Sequence, residues 1–361
     1  MGVAPTLPNP GDMRRRARAW RNVARSATMA RVDPSWVPAP HAAHLLVTFK
    51  CNLKCAGCGS WEVKNHNDLS AEEWRGVLRQ LTSLDIVKIL GGEPFYRKDI
   101  VEILRSVREI VDPYILQVTT NGMLTDRVVE AVHAIAWPGL HLRISVDGMP
   151  DTHDAMRGVP GSSAKVLETV RQVAALRDRY GMKFGINFAL TDDSVDELDD
   201  MVKFAADHGA DLIPGVNVDP FLVGTVPPEQ KRPEVIMVSD KLRMLDILRD
   251  SRMGTRRELP FLDHVLSRFL TKDTFEKQLA GDIQKFPCRE LKDLLYMLPD
   301  GGVVRCGLDH RPIGNIRNQT FDEIWYGDDI QSFRQRVDNC PGCLQASVQI
   351  LSRTYGGCLL S

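Results

Sequence analysis

Between residues 44 and 216, short apolar runs alternate with amphipathic ones, and this rhythm restricts the fold more than any other feature of the 361-residue sequence. HLLVTF (44–49), DIVKIL (85–90), YILQVTT (114–120), HLRISV (141–146), KFGINFAL (183–190) and DLIPGV (211–216) are rich in strand formers. After the first, Ser70-Ala-Glu-Glu73 is a capping box, and Trp74, Val77, Leu78 and Leu81 follow at helical spacing. Helices are predicted over 98–111, 125–136, 163–180 and 194–208 as well. Six strands separated by five helices predict parallel β-α-β units, because a parallel crossover needs an intervening segment. A doubly wound open sheet and a partial barrel both satisfy the pattern, while a closed eight-fold barrel needs more units. In either, ligands gather at the C-terminal ends of the strands.

The rhythm stops near Val218. Residues 219–235 form a loop with four prolines, and 236–281 read as helical with breaks at Gly254 and Pro260. From Phe286 the composition changes. Residues 294–306 predict a hairpin turning at Asp300-Gly301, and Thr320-Phe-Asp-Glu323 is a second capping box. The expected organisation is an N-terminal helical extension (1–43), an α/β core (44–218), a helical linker (219–285) and a small α+β domain of hairpin and helices (286–361).

Charge and hydropathy exclude several classes. The formal net charge is -1, so no global field points to nucleic acid. Residues 14–25 (RRRARAWRNVAR) are locally basic; they read as a helix held by Trp20 and Val23, with contact to a membrane surface or partner as the alternative. No apolar stretch reaches the roughly 18–20 residues of a membrane span, and the N-terminus lacks the apolar segment of a secretory signal. The expected compartment is the cytoplasm, where clustered cysteines read as metal ligands or catalytic groups rather than disulfides.

Three of the eight cysteines, Cys51, Cys55 and Cys58, fall within eight positions directly after the first predicted strand. Thiolates suit zinc, copper(I) and iron–sulfur clusters. A structural zinc site wants a fourth protein ligand, for which His66 is the nearest candidate. A cubane cluster held by three thiolates instead leaves one iron open to another ligand. The spacing C-x3-C-x2-C after the first strand of a β/α domain resembles the radical S-adenosylmethionine (SAM) superfamily, over residues 44 to about 216. The resemblance implies a partial (β/α)6 barrel and a [4Fe–4S] cluster on Cys51, Cys55 and Cys58 whose open iron binds SAM. It further implies reductive cleavage of SAM to a 5′-deoxyadenosyl radical. Many relatives have an aromatic residue before the third cysteine; here that position is Gly57.

Further elements recur in the family's order. Gly91, Gly92, Glu93 and Pro94 resemble the GGEP element that holds the amino group of SAM. Glu93 and nearby carbonyls are expected to accept from that ammonium, and the glycines to allow close backbone approach. Asn121 follows the third strand, and Ser145 and Asp147 the fourth; all three are candidate SAM contacts, against a reading as ordinary turn residues. His153 to Gly158 (HDAMRG) resembles a family HDxxRG stretch, in which Arg157 would pair with the SAM carboxylate; a solvated loop arginine is the alternative.

Cys288, Cys306, Cys340 and Cys343 make a second set: a C-x2-C pair and two distant cysteines. Four thiolates close a site, for zinc or for a [4Fe–4S] cluster. After a radical SAM core, PCRE, the hairpin, GNI (314–316), the DEIW helix and the final C-x2-C resemble a twitch domain, a shortened relative of the SPASM domain. That resemblance implies one auxiliary [4Fe–4S] cluster. Cys358 is left over as a free thiol, or a hydrogen-atom donor.

The resemblance implies an oxidoreductase-type radical enzyme that oxidises or epimerises a small natural-product alcohol or amine, such as a sugar or aminocyclitol, with flavodoxin or ferredoxin as electron donor. Two alternatives stand beside it: modification of a ribosomal precursor peptide, for which residues 1–43 are too few to form an 80–90-residue recognition module, and a non-catalytic metal scaffold.

Overall fold

The structure is a computed structural model that describes residues 10–55, 58–64, 67–191, 193–216, 288–307, 309–339 and 346–356. After helix α1 (Pro10–Val32), strands and helices alternate: β1 (Ala42–Thr48), α2 (Ala71–Gln80), β2 (Ile86–Gly91), α3 (Ile100–Ser106), β3 (Ile115–Thr120) and α4 (Thr125–Ile135). The series continues with β4 (Leu140–Ser145), α5 (Pro150–Arg157), α6 (Ser162–Tyr180), β5 (Lys183–Leu190), α7 (Leu198–Asp207) and β6 (Asp211–Val216). The C-terminal region adds β7 (Leu294–Met297), β8 (Gly302–Cys306), β9 (Asp309–Asn315), α8 (Phe321–Tyr326), α9 (Asp328–Asp338) and α10 (Ala346–Tyr355). The expected linker, with its loop at 219–235 and helices over 236–281, lies outside the described residues, as do His66, Gly57, Cys340, Cys343 and Cys358.

The α/β fold with a parallel sheet, followed by a hairpin and helices, is present. One nine-stranded sheet runs β6-β5-β4-β3-β2-β1-β7-β8-β9. β7 continues it by pairing in parallel with β1, Leu294–Met297 against Ala42–Leu45. All four residues of β7 are buried, which explains why this strand joins the sheet. β8 and β9 turn back antiparallel, and Gly301 has the positive φ of 87° that the tight turn requires.

Two departures from the sequence reading have local causes. The helix predicted over 98–111 leaves α-geometry at Val107 and finishes as a π-turn through Val111, ending with Asp112 in the left-handed region. Residues 150–157, to which the sequence pattern assigns no element, are helix α5, with Pro150 in its first turn and Gly158 at φ 67° just past its end. Proline fits where the helix has no use for its N–H, and glycine fits the left-handed exit.

One sheet face is wholly apolar. Ala43, Leu45, Val47, Val87, Ile89, Leu116, Val118, Leu142 and Ile144 pack against Trp74, Leu78, Leu104, Val132 and Val170 of the surrounding helices. The other face alternates with it and stays partly open through β2 and β3, as the twofold strand period requires. At the N-terminal end of the strands this inner face is closed by α1 and α10, where Val23, Leu351 and Tyr355 meet Ala42, Ile86 and Leu294. Buried carboxylates fix α1 there: Asp85 accepts from Arg18 (3.0 Å) and Asn22 (2.8 Å), and Asp293 accepts from Ser26 (2.6 Å). No helix among the described residues is long and apolar enough to cross a membrane.

Both predicted capping boxes form, at Ser70 and Thr320. Glu73 also receives Arg317 from beyond β9, at 2.7 Å, so one carboxylate serves α2 and ties it to the C-terminal region. The Arg317 and Ser70 hydrogen bonds hold Glu73 down at about 2. Because the folded value is depressed, this contribution is complete above the unfolded value near 4.5 and is lost as pH falls towards 2. Glu73→Gln is therefore expected to narrow, below pH 4.5, the stability gap from the parent that exists at pH 7, measured by denaturant titration at each pH.

Candidate functional site

The end of β1 and the end of β2 are locked together by backbone. Gly92 N–H donates to Thr48 O (2.8 Å) and Glu93 N–H to Lys50 O (2.8 Å), immediately before Cys51. A Cβ on Gly92 would lie 2.4 Å from Lys50 O and 2.5 Å from Phe49 O; one on Gly91, at φ 147°, would lie 2.2 Å from Thr48 O. Only glycine lets the β2 turn touch the chain that enters the cysteine loop.

Two side chains then bind that loop from neighbouring elements. Asn121, after β3, donates to Asn52 Oδ1 (2.8 Å) and points its amide at Cys51 Sγ (3.7 Å). Arg157, in the last turn of α5, reaches Cys55 Sγ (3.7 Å) and pairs with Asp147 at 2.7 Å. Cys58 Sγ lies 3.4 Å from Ser60 Oγ, and Cys58 N–H donates to Cys55 O at 3.2 Å. Ser145 ends β4 opposite Asn187 of β5.

The stretch from His153 to Gly158 is thus a helix whose polar residues each have a separate task. Burial and the neighbouring guanidinium depress His153 to about 4, so its ring is neutral and Nδ1 accepts the Asp147 N–H at 3.1 Å. Asp154 caps α6 through Ser162 Oγ (2.8 Å) and Ser163 N–H (2.7 Å). Gly158 leaves no room for a Cβ, which would sit 2.9 Å from Lys54 O of the cysteine loop. Arg157 is buried beside Asp147 and is no solvated loop arginine. Burial opposes its charge, but Asp147 and Cys55 outweigh this and hold the guanidinium above its ordinary value.

Glu93 has partners within the protein. Its carboxylate is fully buried and accepts from Phe95 N–H (3.0 Å), Thr120 Oγ (2.9 Å) and Asn121 N–H (2.7 Å). Burial pushes it up to about 7 against these donors. The side chain joins the ends of β2 and β3, which leaves the carbonyls of the turn to accept an ammonium group. Sequence reasoning missed Asn52, Thr120 and Glu197. Glu197 accepts Met149 N–H and Thr152 Oγ, both at 2.6 Å, and so holds the start of α5. No short motif marks it.

The donor set fits an iron–sulfur cluster. Cys51, Cys55 and Cys58 are free thiols. Burial pushes Cys51 up to about 12, and only the Leu53 N–H opposes the further push from Glu93, Cys55 and Cys58. Thiolates there need a cationic partner, which bound iron supplies. At the opposite end of the strands, Cys288 packs beside Ala42 and Leu294, and Cys306 ends β8.

The family model for the radical SAM superfamily matches residues 45–205, and that for an iron–sulfur cluster-binding (SPASM) domain matches 288–344. The chain carries a radical SAM domain followed by a SPASM domain. Together these imply [4Fe–4S] clusters and SAM. A pre-heme d1 synthase from Dinoroseobacter shibae is 31% identical across 46% of this chain, and the match spans only 40% of that relative. A PqqA peptide cyclase from Streptomyces rochei is 26% identical across 81% of this chain and 77% of its own. The radical SAM fold is shared with Streptococcus suis SuiB bound to S-adenosylmethionine (TM-score 0.58, 17% identity, 85% of this chain and 70% of that one).

Removing Arg157 would strand Asp147, 7% exposed, without its cation. Arg157→Ala is expected to cost about 3 kcal/mol in unfolding free energy, the scale of a buried charge left alone. Asp147→Asn in the same background should recover part of it, measured by a denaturant double-mutant cycle.

Proposed function

We propose that this chain removes a hydrogen atom from carbon of a polar substrate and completes a net oxidation of it. The observation that carries the reading is the convergence of Cys51, Cys55 and Cys58 with the Gly91-Gly92 turn, Asn121, Asp147 and Arg157 at the C-terminal strand ends. Cys51, Cys55 and Cys58 would hold a [4Fe–4S] cluster, which when bound and reduced would supply the electron that cleaves SAM to a 5′-deoxyadenosyl radical. The turn carbonyls would take the SAM ammonium, and Arg157, which meets Asp147 through Nη2 and leaves Nε without a partner, its carboxylate. The glycines exclude side chains from that contact. Cys288, Cys306, Cys340 and Cys343 would close a second site for an auxiliary cluster that accepts the substrate's electron, and flavodoxin or ferredoxin would reduce the first.

Two substrate classes follow from different observations. The relatives that match over most of their length include a peptide cyclase, which favours the side chain of a precursor peptide. The cysteine inventory favours a small alcohol or amine, since four C-terminal thiols and Cys358 are too few for the two auxiliary clusters of a full SPASM domain.

Anaerobic reconstitution is expected to give about eight irons per chain, four for each cubane cluster. Reductant-dependent 5′-deoxyadenosine should form and be lost in Cys51→Ala, Cys55→Ala and Cys58→Ala. About four irons would refute the auxiliary cluster, and 5′-deoxyadenosine from the cysteine variants would refute the site itself. Product analysis with a deuterated substrate, taken from the metabolites or peptides of a deletion strain, then assigns the attacked carbon.

A further inference from the structure

The inner sheet face carries a layer of polar groups that the SAM site does not use. In the register, Lys88 of β2 lies beside His44 of β1 and Gln117 of β3, and His44 lies beside Tyr296 of β7. Arg143 of β4 faces the same side, two residues further along. Lys88 sits three residues before Gly91, roughly 10 Å along the strand from the glycine turn. One step towards the closed end are Ala42, Ile86 and Leu294, packed on α1 and α10.

Glu290 enters this layer from the stretch between Cys288 and β7. It is 1% exposed, and neither carboxylate oxygen has a hydrogen-bond partner among the described residues. Burial pushes Glu290 up to about 8, with Lys88 opposing, so the group is largely the neutral acid at pH 7, and the two form no ion pair. Burial, and then Arg143, hold Lys88 down to about 8, with Glu290 opposing. His44 is neutral for the same reason of burial. Lys88 retains part of its surface accessible although it lies inside the sheet's curve.

A buried carboxyl group with no hydrogen-bond partner costs its desolvation even when neutral, and a nearby ammonium that does not meet it recovers little. Such a pair persists where a ligand completes it. We propose that Lys88 and Glu290 hold the substrate's polar group in the lumen, Lys88 donating to an acceptor oxygen and Glu290 pairing with an adjacent N–H donor. An amide of a peptide and an amino alcohol both present this combination. The inference rests on the proposed radical SAM reading only in calling the ligand a substrate; the binding site stands on the strand register that puts Lys88 on the inner face and on the buried, unpartnered Glu290.

The test is calorimetric titration of the anaerobically reconstituted full chain. Two probes carry both groups: N-acetylglycinamide and trans-2-aminocyclohexanol. Two carry one each: cyclohexanecarboxylate and cyclohexylammonium. At least one of the first pair is expected to bind about tenfold more tightly than either single-function probe, a difference of about 1.4 kcal/mol. Preference for the amide points to a peptide substrate and preference for the amino alcohol to a small molecule. Lys88→Met and Glu290→Leu should each erase the preference, with unchanged iron content and a Tm equal to or above the parent's, because apolar residues replace buried polar groups that lack partners within the protein. Equal binding of all four probes overturns the proposal. So does a Tm well below the parent's in both variants with the preference intact, since that marks a structural role. Iron content separates these outcomes from failure of the cluster assignment.

Discussion

The contact on which the site depends is a backbone one: the Gly91-Gly92 turn lies directly against residues 48–50. Parallel pairing of β1 with β2 brings the two strand ends to the same level, and the missing Cβ atoms let them touch. From that contact the chain runs straight into Cys51. The position of the first cysteine is therefore set by sheet register and not by the flexible loop that carries it. Asn121 and Arg157 then fasten Cys51 and Cys55 from the end of β3 and from α5, one restraint from each. Side chains on rigid elements hold a geometry better than loop residues can.

Much of this was legible in the sequence because the features are periodic or covalent in origin. Strand periodicity gave β1 to β6 within a residue or two, and both capping boxes announced α2 and α8. Cysteine spacing and the two glycines named the site. Other parts were hidden because they depend on tertiary placement. Glu93 looked like a ligand, but whether a carboxylate faces a pocket or three internal donors depends on where β3 ends. Arg157 looked equally like a surface arginine until Asp147 and α5 were in place. Helix α5 itself carried a readable signature, Pro150 at its start and Gly158 past its end, which the turn-like composition around it obscured.

The joining of β7 to β1 had no sequence signal beyond four apolar residues. It nonetheless changes the relation between the two cysteine sets. The C-terminal region extends the same sheet, and parallel pairing makes β7 begin where β1 begins. Cys288, just before β7, is thereby placed at the closed end of the strands beside Ala42, while Cys51, just after β1, is at the open end. β1 is seven residues long, so the two levels are separated by about 20 Å of strand.

That separation gives the polar layer its meaning. His44, Lys88, Tyr296 and Glu290 occupy the inner face between the two levels, where a structural core would be apolar on both sides of the sheet, as the helix-facing side is. Stability alone would favour leucine or methionine at Lys88 and Glu290. A molecule held in this layer would lie between the level of Cys51 and the level of Cys288. The carbon nearest the glycine turn is then exposed to the SAM end, while the polar group lies toward the closed end. Under the proposed function, hydrogen removal and electron departure would then fall at opposite ends of one bound molecule, because β1 and β7 run in parallel register.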